Sequence, residues 1–211
     1  MIEIELRFHV KTPPPGLTGL APQKEKSQID IYYDTADYTL FRRGIFLRVR
    51  NNHRLDFKGN LQDRAEIQHD YCDEFGFDLS KIPAESPKIN QLLKLSGIDA
   101  DKAYSDLNDF LRYNNLSVFA TIDKKRLEYK IADMLITLDD VKDIGLFIEA
   151  ELNVPDDTAE RDIKQHIEDM RIKLTEHGVL GPDARASNIG LVEEYLKLHN
   201  RTAYDLGLYK E

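Results

Sequence analysis

The chain has 211 residues, a length that suits one domain with at most a small helical appendage. With 29 Lys and Arg against 38 Asp and Glu, its formal charge of −9 excludes a general nucleic-acid or anionic-membrane surface, so any anionic ligand must be held locally. The hydrophobic fraction of 41% excludes wholesale disorder. A single cysteine, Cys72, excludes a disulfide framework or thiolate metal cage and suits a reducing compartment.

No basic, apolar leader pattern follows Met1 and no window approaches ~18 apolar residues, so a soluble cytoplasmic protein is expected. Strict alternation over Ile2–Val10 puts Ile2, Ile4, Leu6 and Phe8 on one face and Glu3, Glu5, Arg7 and His9 on the other, predicting a strand with one charged face. From Lys11 to Lys26 the prolines and glycines predict a surface loop with neither helix nor inner strand. Strand patterns resume at Ile29–Tyr33, Gly44–Arg50 and Leu55–Lys58, the last two joined by a turn at Asn51-Asn52-His53. Another pattern follows at Arg64–Tyr71, with Arg64, Glu66 and Gln68 on one face.

Ser86 reads as the cap of a helix with Pro87 at its first position and Gly97 beyond its end, and a second helix is expected over about Asp101–Tyr113. Strands return at Ala120–Ile131, Leu135–Val141 and Phe147–Val154. Asp157-Thr158-Ala159-Glu160 reads as a capping box opening a helix that carries Ile163, Ile167, Met170 and Leu174 and ends at Gly178. A last helix is expected over Leu191–His199, and the residues after it are weakly specified.

The strand faces opposite the apolar residues carry full charges, sorted by sign. Glu3 and Glu5 are acids on the first strand and Glu149 and Glu151 on the last, with Asp139 on the strand before it. Arg48, Arg50, Lys58, Lys124, Arg126 and Lys130 lie between them. One reading is the solvated outer face of an antiparallel sheet. The other is a ligand site, because two carboxylates ~7 Å apart on one strand repel by ~2.4 kcal/mol at an effective dielectric near 20, and a Glu-x-Glu strand that occurs twice needs compensation. A divalent Mg²⁺ or Mn²⁺ supplies it, taking phosphate oxygens as further ligands, and the basic rows can hold those phosphates. Closing the sheet with charged faces inward would make an aqueous tunnel with acids on one wall and bases on another. A triphosphate matches its length and charge.

The residues Ile2-Glu3-Ile4-Glu5-Leu6-Arg7-Phe8 resemble the Glu-x-Glu-x-Lys signature of the CYTH superfamily, the triphosphate tunnel metalloenzymes. Tyr32-Tyr33-Asp34-Thr35, Leu47-Arg48-Val49-Arg50, Phe57-Lys58-Gly59, Arg64-x-Glu66, Lys125-Arg126-x-x-Tyr129, Leu138-Asp139-x-Val141 and Gly145-x-Phe147-Ile148-Glu149-x-Glu151 follow in the family's order. The resemblance covers residues 1–196, with 197–211 as a C-terminal tail. It implies an α+β fold, a closed eight-stranded antiparallel β-barrel with helices packed outside. It implies Glu3, Glu5, Asp139, Glu149 and Glu151 as metal ligands, and Arg7, Arg48, Arg50, Lys58, Lys124 and Arg126 as phosphate contacts. Tyr32 is similar to a tyrosine that pairs with the signature lysine in thiamine triphosphatases, and Glu66 is a candidate for metal or water positioning. Arg7 stands where the family has that lysine, and a guanidinium stays protonated, so it cannot accept a proton from water.

The activity so implied is a metal-dependent triphosphate hydrolase acting on inorganic triphosphate, thiamine triphosphate or a nucleoside triphosphate. Two alternatives stay open: a class IV-type adenylate cyclase and a non-catalytic polyphosphate- or nucleotide-binding module. The partner expected is a small-molecule triphosphate, with no nucleic acid or membrane, and a homodimer is left open. The histidines lack metal-ligand spacing, and no Walker loop, dinucleotide fingerprint or nucleophile elbow occurs.

Overall fold

The structure, a computed structural model, describes residues 2–59, 71–155 and 157–211. Arg64 and Glu66, and most of the strand expected around them, lie outside the described residues. The remainder forms an α+β fold with one antiparallel hydrogen-bonding order of nine strands, β5-β4-β3-β2-β6-β7-β8-β1-β9. Two of the nine were not expected from the sequence: β5 (Tyr71–Asp78), which shares only Tyr71 with the expected Arg64–Tyr71, and the short β9 (Arg185–Ser187). Strand β9 pairs with the outer edge of β1 through Arg7↔Ser187 and His9↔Arg185, satisfying backbone groups there. The chain divides into two compact units.

Of the described residues, the first unit holds 2–28, 71 and 123–190. Its sheet comprises β1 (Ile2–Val10), the start of β2 (Lys24–Asp34), the end of β6 (Ser117–Ile131), β7 (Met134–Val141), β8 (Gly145–Val154) and β9. Every second residue of β1 is buried, and Ile4, Leu6 and Phe8 join Ile136, Leu138, Ile148 and Ala150 in one core. Helix α4 (Glu160–Glu176) covers this face with Ile163, Met170 and Leu174, each such side chain worth roughly 1.5–3 kcal/mol when fully buried. The expected capping box does not form. Ala159 is the N-cap without a side-chain bond, because the Thr158 hydroxyl donates instead to the Pro155 carbonyl at 2.8 Å.

The proline-rich stretch is not a bare loop. Pro14 and Pro15 open one helical turn, α1 (Pro15–Thr18), since proline's fixed φ and missing N–H are tolerated at a first helical position. Leu17 thereby enters the core. Gly16 donates its N–H to the Gly178 carbonyl at 3.0 Å, and a Cβ there would lie 2.0 Å from the His177 oxygen, so the close approach requires glycine. Strand β2 begins at Lys24, five residues before the sequence pattern suggested, held by the Gln23 N–H to the Glu128 carbonyl at 2.8 Å.

The second unit holds residues 29–59, 72–122 and 191–211. The rest of β2 pairs with β3 (Phe46–Arg50), β3 with β4 (Arg54–Gly59), and β4 with β5 (Tyr71–Asp78). Asn51 and Asn52 turn the β3–β4 hairpin at φ 49° and 57°, the left-handed region that asparagine tolerates. After β2, Asp34 accepts backbone N–H bonds from Thr35 at 2.7 Å, Leu40 at 3.0 Å and Phe41 at 2.8 Å. These bonds fold the break that interrupts the strand pattern and bury the carboxylate, and that burial raises its pKa against their opposing effect.

Helix α2 (Ile82–Leu95) begins four residues before Ser86, so Ser86 is no cap and Pro87 lies inside the helix. The Ser86 hydroxyl instead donates to the Ile82 carbonyl at 2.8 Å and accepts from the Tyr104 N–H at 3.0 Å, a use that the capping reading overlooked. Helix α3 (Leu107–Tyr113) is shorter than expected because Asp106 caps it through the Asp109 N–H. These helices cover a second core of Leu47, Val49, Leu55, Phe57, Ile89, Leu93 and Phe110. The terminal residues are better specified than expected. Helix α5 (Leu191–His199) is followed by α6 (Arg201–Tyr204), Tyr204 is fully buried, and Tyr209 stacks on Phe46 at 6.4 Å. Among the described residues, no helix is long and apolar enough to cross a membrane.

Candidate metal and phosphate site

The alternation that buries one face of β1 presents Glu3, Glu5 and Arg7 on the other, and antiparallel register decides what each meets. Glu5 lies opposite Glu151, Arg7 opposite Glu149, Glu149 opposite Thr137, and Asp139 opposite Arg126. Carboxylate oxygens of Glu5, Glu149 and Glu151 thereby converge within 4.8 Å of one another. Two full negative charges at that separation repel by about 3 kcal/mol at an effective dielectric near 20, so the cluster needs cations.

Two arginines and a lysine of the same unit supply part of that charge. Arg126 grips Asp139 with both ends of its fork, at 2.7 and 2.6 Å, and reaches Glu149 Oε2 as well. Lys124 Nζ donates to Asp139 Oδ2 at 2.6 Å. Arg7 donates from Nε to Glu149 Oε1 at 2.9 Å and from Nη2 to Glu5. Asp139 is fully buried, and both its oxygens accept from cations, so it holds Lys124 and Arg126 in place. Burial opposes the charge on Arg126, but Glu149, Asp139 and Glu151 keep its pKa well above the ordinary value. Burial pushes the Lys124 ammonium down, helped by Arg126 and opposed by Glu149 and Asp139.

Glu151 is the carboxylate left least compensated. Burial, followed by the charges of Glu3, Glu149 and Glu5, raises its pKa to about 8 against the pull of Arg126, whose Nη1 lies 4.0 Å away. The folded protein therefore holds this proton more tightly than the unfolded chain does. Its stabilising contribution is complete below the ordinary carboxylate pKa and is lost as pH rises through about 8. The metal-free melting temperature is expected to fall between about pH 5 and 8, and Glu151→Gln to flatten that slope. Divalent-cation affinity should rise across the same window, because binding must expel the proton. Thermal melts of both proteins against pH, with and without Mg²⁺, check this, and equal slopes would exclude Glu151 as the source.

The donor set fits a hard divalent cation, since it offers carboxylate oxygens alone, as Mg²⁺ and Mn²⁺ prefer. Thr137 adds a second sign. Its fully buried hydroxyl lies on this face beside Glu149 and has no hydrogen-bond partner among the described residues, as expected beside a space for water or a ligand oxygen. Glu3 shares the face but stands opposite Asn153, outside the converging trio. Lys130, expected beside Arg126, is exposed. Glu128, not singled out from sequence, pairs with Lys26.

The second unit carries the other expected phosphate contacts. Arg50 chelates Asp30 at 2.8 and 3.1 Å, and Arg48 meets Asp56 at 3.2 Å and Glu74 at 3.4 Å. Lys58 lies between Phe46 and Glu74 in the strand register. Tyr32 stands opposite Arg48, its ring edge-on to Phe46 and Phe119, and burial raises its phenol's pKa while Arg48 opposes the rise. Asp30, Asp56 and Glu74 were missed as partners. The spacing Asp56-x-Lys58, which puts an acid on the basic strand's charged face, was the available signal. The expected separation of acids and bases onto different walls is thus corrected within each unit. Buried charges of one sign need neighbours of the other, so carboxylates and guanidinium groups interleave.

The CYTH domain family matches residues 1–178, and the chain belongs to that family. No curated protein matches it in sequence. Among solved structures it is similar to the PH1819 protein of Pyrococcus horikoshii, with TM-score 0.63 and 20% identity over 92% of this chain and 98% of that one. It is also similar to a candidate adenylate cyclase of Vibrio parahaemolyticus, with TM-score 0.59 and 18% identity over 92% and 98%. A third similar structure is a candidate adenylyl cyclase of Hippeastrum described as having a dominant triphosphatase activity, with TM-score 0.50 and 17% identity over 92% and 93%. At these identities the likeness concerns the fold.

Proposed function

We propose that this chain is a divalent-metal-dependent triphosphatase, cleaving a phosphoanhydride bond of inorganic triphosphate, thiamine triphosphate or a nucleoside triphosphate. The observation that carries the reading is the convergence of Glu5, Glu149 and Glu151 beside Arg7, Arg126 and Lys124 on one strand face. Glu5, Glu149 and Glu151 would hold Mg²⁺ or Mn²⁺, with Glu3 at the margin and Asp139 orienting the cations. The bound metal would supply Lewis-acid polarisation of phosphate oxygens. Arg126, Lys124 and Arg7 would neutralise the remaining phosphate charge, fixed in place before substrate arrives, which is where most of the rate of phosphoryl transfer comes from.

From the family resemblance, the proposal extends to closure of the sheet as an eight-stranded tunnel, with Arg48, Arg50 and Lys58 as further phosphate contacts and Tyr32 and Glu66 in supporting roles. Arg7 cannot serve as the base, so the proton of the attacking water goes to a carboxylate of the face or to bulk solvent. The setting that suits this reading is the cytoplasm.

Phosphate release from a panel of triphosphates, with and without Mg²⁺ or Mn²⁺, tests it. Turnover that needs the metal and is lost in Arg126→Ala is expected, and no metal-dependent turnover of any member would overturn it. The names of two similar structures favour one rival, attack of the ribose 3′-hydroxyl on the α-phosphate of ATP. Cyclic AMP with pyrophosphate as the product would replace the hydrolase reading.

A further inference from the structure

Arg7 is one of two arginines that engage the converging carboxylates. Its guanidinium spans Glu149 at 2.9 Å, Glu5, and the Ile189 carbonyl at 2.7 Å, so two of the three converging acids share it. The other oxygen of Glu149 is taken by Arg126. Only 11% of the Arg7 side chain is exposed, so solvent screens it poorly, and a guanidinium cannot shed its charge. A dication brought to the same carboxylates meets a fixed positive charge one hydrogen bond beyond the oxygens it needs. The repulsion is of the same order as its attraction to one of those carboxylates. A lysine would offer its donors from one compact point, whereas the planar fork reaches three acceptors on two strands and the segment after β9.

We propose that Arg7 is the built-in counterion of the metal-free site. A divalent cation competes with it for Glu5 and Glu149, and an incoming triphosphate relieves that competition by giving the guanidinium phosphate oxygens to donate to. This rests on the triphosphate reading above and adds the regulation of the site. Metal alone binds weakly, and metal and triphosphate bind cooperatively, each favouring the other by the same factor. The departure from the family lysine then makes occupancy of the site by metal conditional on substrate.

The test uses the full chain and Mn²⁺, with the bound ion read from loss of the free-ion electron paramagnetic resonance signal. Titrations run with and without a non-hydrolysable imidotriphosphate, whose own Mn²⁺ affinity is measured separately. In the wild type the analogue should tighten Mn²⁺ binding about tenfold beyond its own chelation. Arg7→Gln should bind Mn²⁺ alone about tenfold more tightly than wild type and lose the extra tightening. Equal Mn²⁺ affinities in the two proteins would overturn the proposal and leave Arg7 as a structural clasp.

Should Arg7→Gln fail to fold, ¹⁵N spectra of the wild-type arginine Nε–H groups decide. The Arg7 signal, assigned by its loss in Arg7→Lys, is expected to shift or broaden when saturating Mg²⁺ is added, and an unmoved signal would overturn the proposal. Failure of the underlying functional reading looks different: wild type would bind no Mn²⁺ with or without the analogue, and the inference would fall with it.

Discussion

Asp139→Ala is expected to lower the unfolding free energy by about 3–5 kcal/mol, the cost of leaving buried charge uncompensated. Asp139 has no exposed surface, and its two oxygens accept from Lys124 at 2.6 Å and from both ends of Arg126. Its loss takes away the carboxylate that Lys124 bonds and leaves Arg126 with Glu149 and the more distant Glu151, and both cations are almost fully buried. Lys124→Met should cost less than Asp139→Ala, because Arg126 still satisfies the carboxylate and an apolar chain tolerates the burial. Denaturant unfolding checks the pair. The midpoint should fall with little change in slope, and a loss under about 1 kcal/mol for Asp139→Ala would mean that the cations find other partners.

Glu149→Gln is expected to weaken divalent-metal binding and metal-dependent triphosphate turnover by at least about a hundredfold each. Glu149 is the one residue of the converging trio that both arginines contact, Arg7 at Oε1 and Arg126 at Oε2. The amide removes a metal-ligating charge. It also turns one of the two acceptor oxygens into a donor, so one of the two guanidinium forks loses its partner at this residue while the other keeps a neutral acceptor. Glu3→Gln, outside the trio, should have a smaller effect, and Lys130→Ala, on an exposed side chain, none. Calorimetric Mn²⁺ titration with phosphate-release kinetics gives both readouts. A Glu149→Gln protein with wild-type metal affinity would remove Glu149 from the metal site.

Much of this site was legible in the order of residues along single strands. The two-residue period of Ile2–Val10 separated core from charged face correctly, and Glu-x-Glu spacing put Glu149 and Glu151 on the face that converges with Glu5. Family membership followed from motifs that are themselves short strand segments. Helix starts were less legible. The Ser86 cap, the Asp157 to Glu160 capping box and the proline-rich loop each rested on a local hydroxyl or ring, and in each case a competing bond or a permitted first-turn proline won.

By itself, the sequence determined which residues share a strand face, because side-chain direction alternates under backbone geometry alone, and it determined that the chain is a CYTH protein. Tertiary structure alone decided which charge meets which. Register between β1 and β8 is set by packing of the apolar face, and that register puts Arg7 against Glu149 and Glu5 against Glu151. Folding also interleaved the signs that the sequence had sorted by strand, giving Asp139 to Lys124 and Arg126, and Asp30 to Arg50. The reason is the cost of a buried charge, which depends on neighbours distant in sequence and so appears only when strands lie side by side.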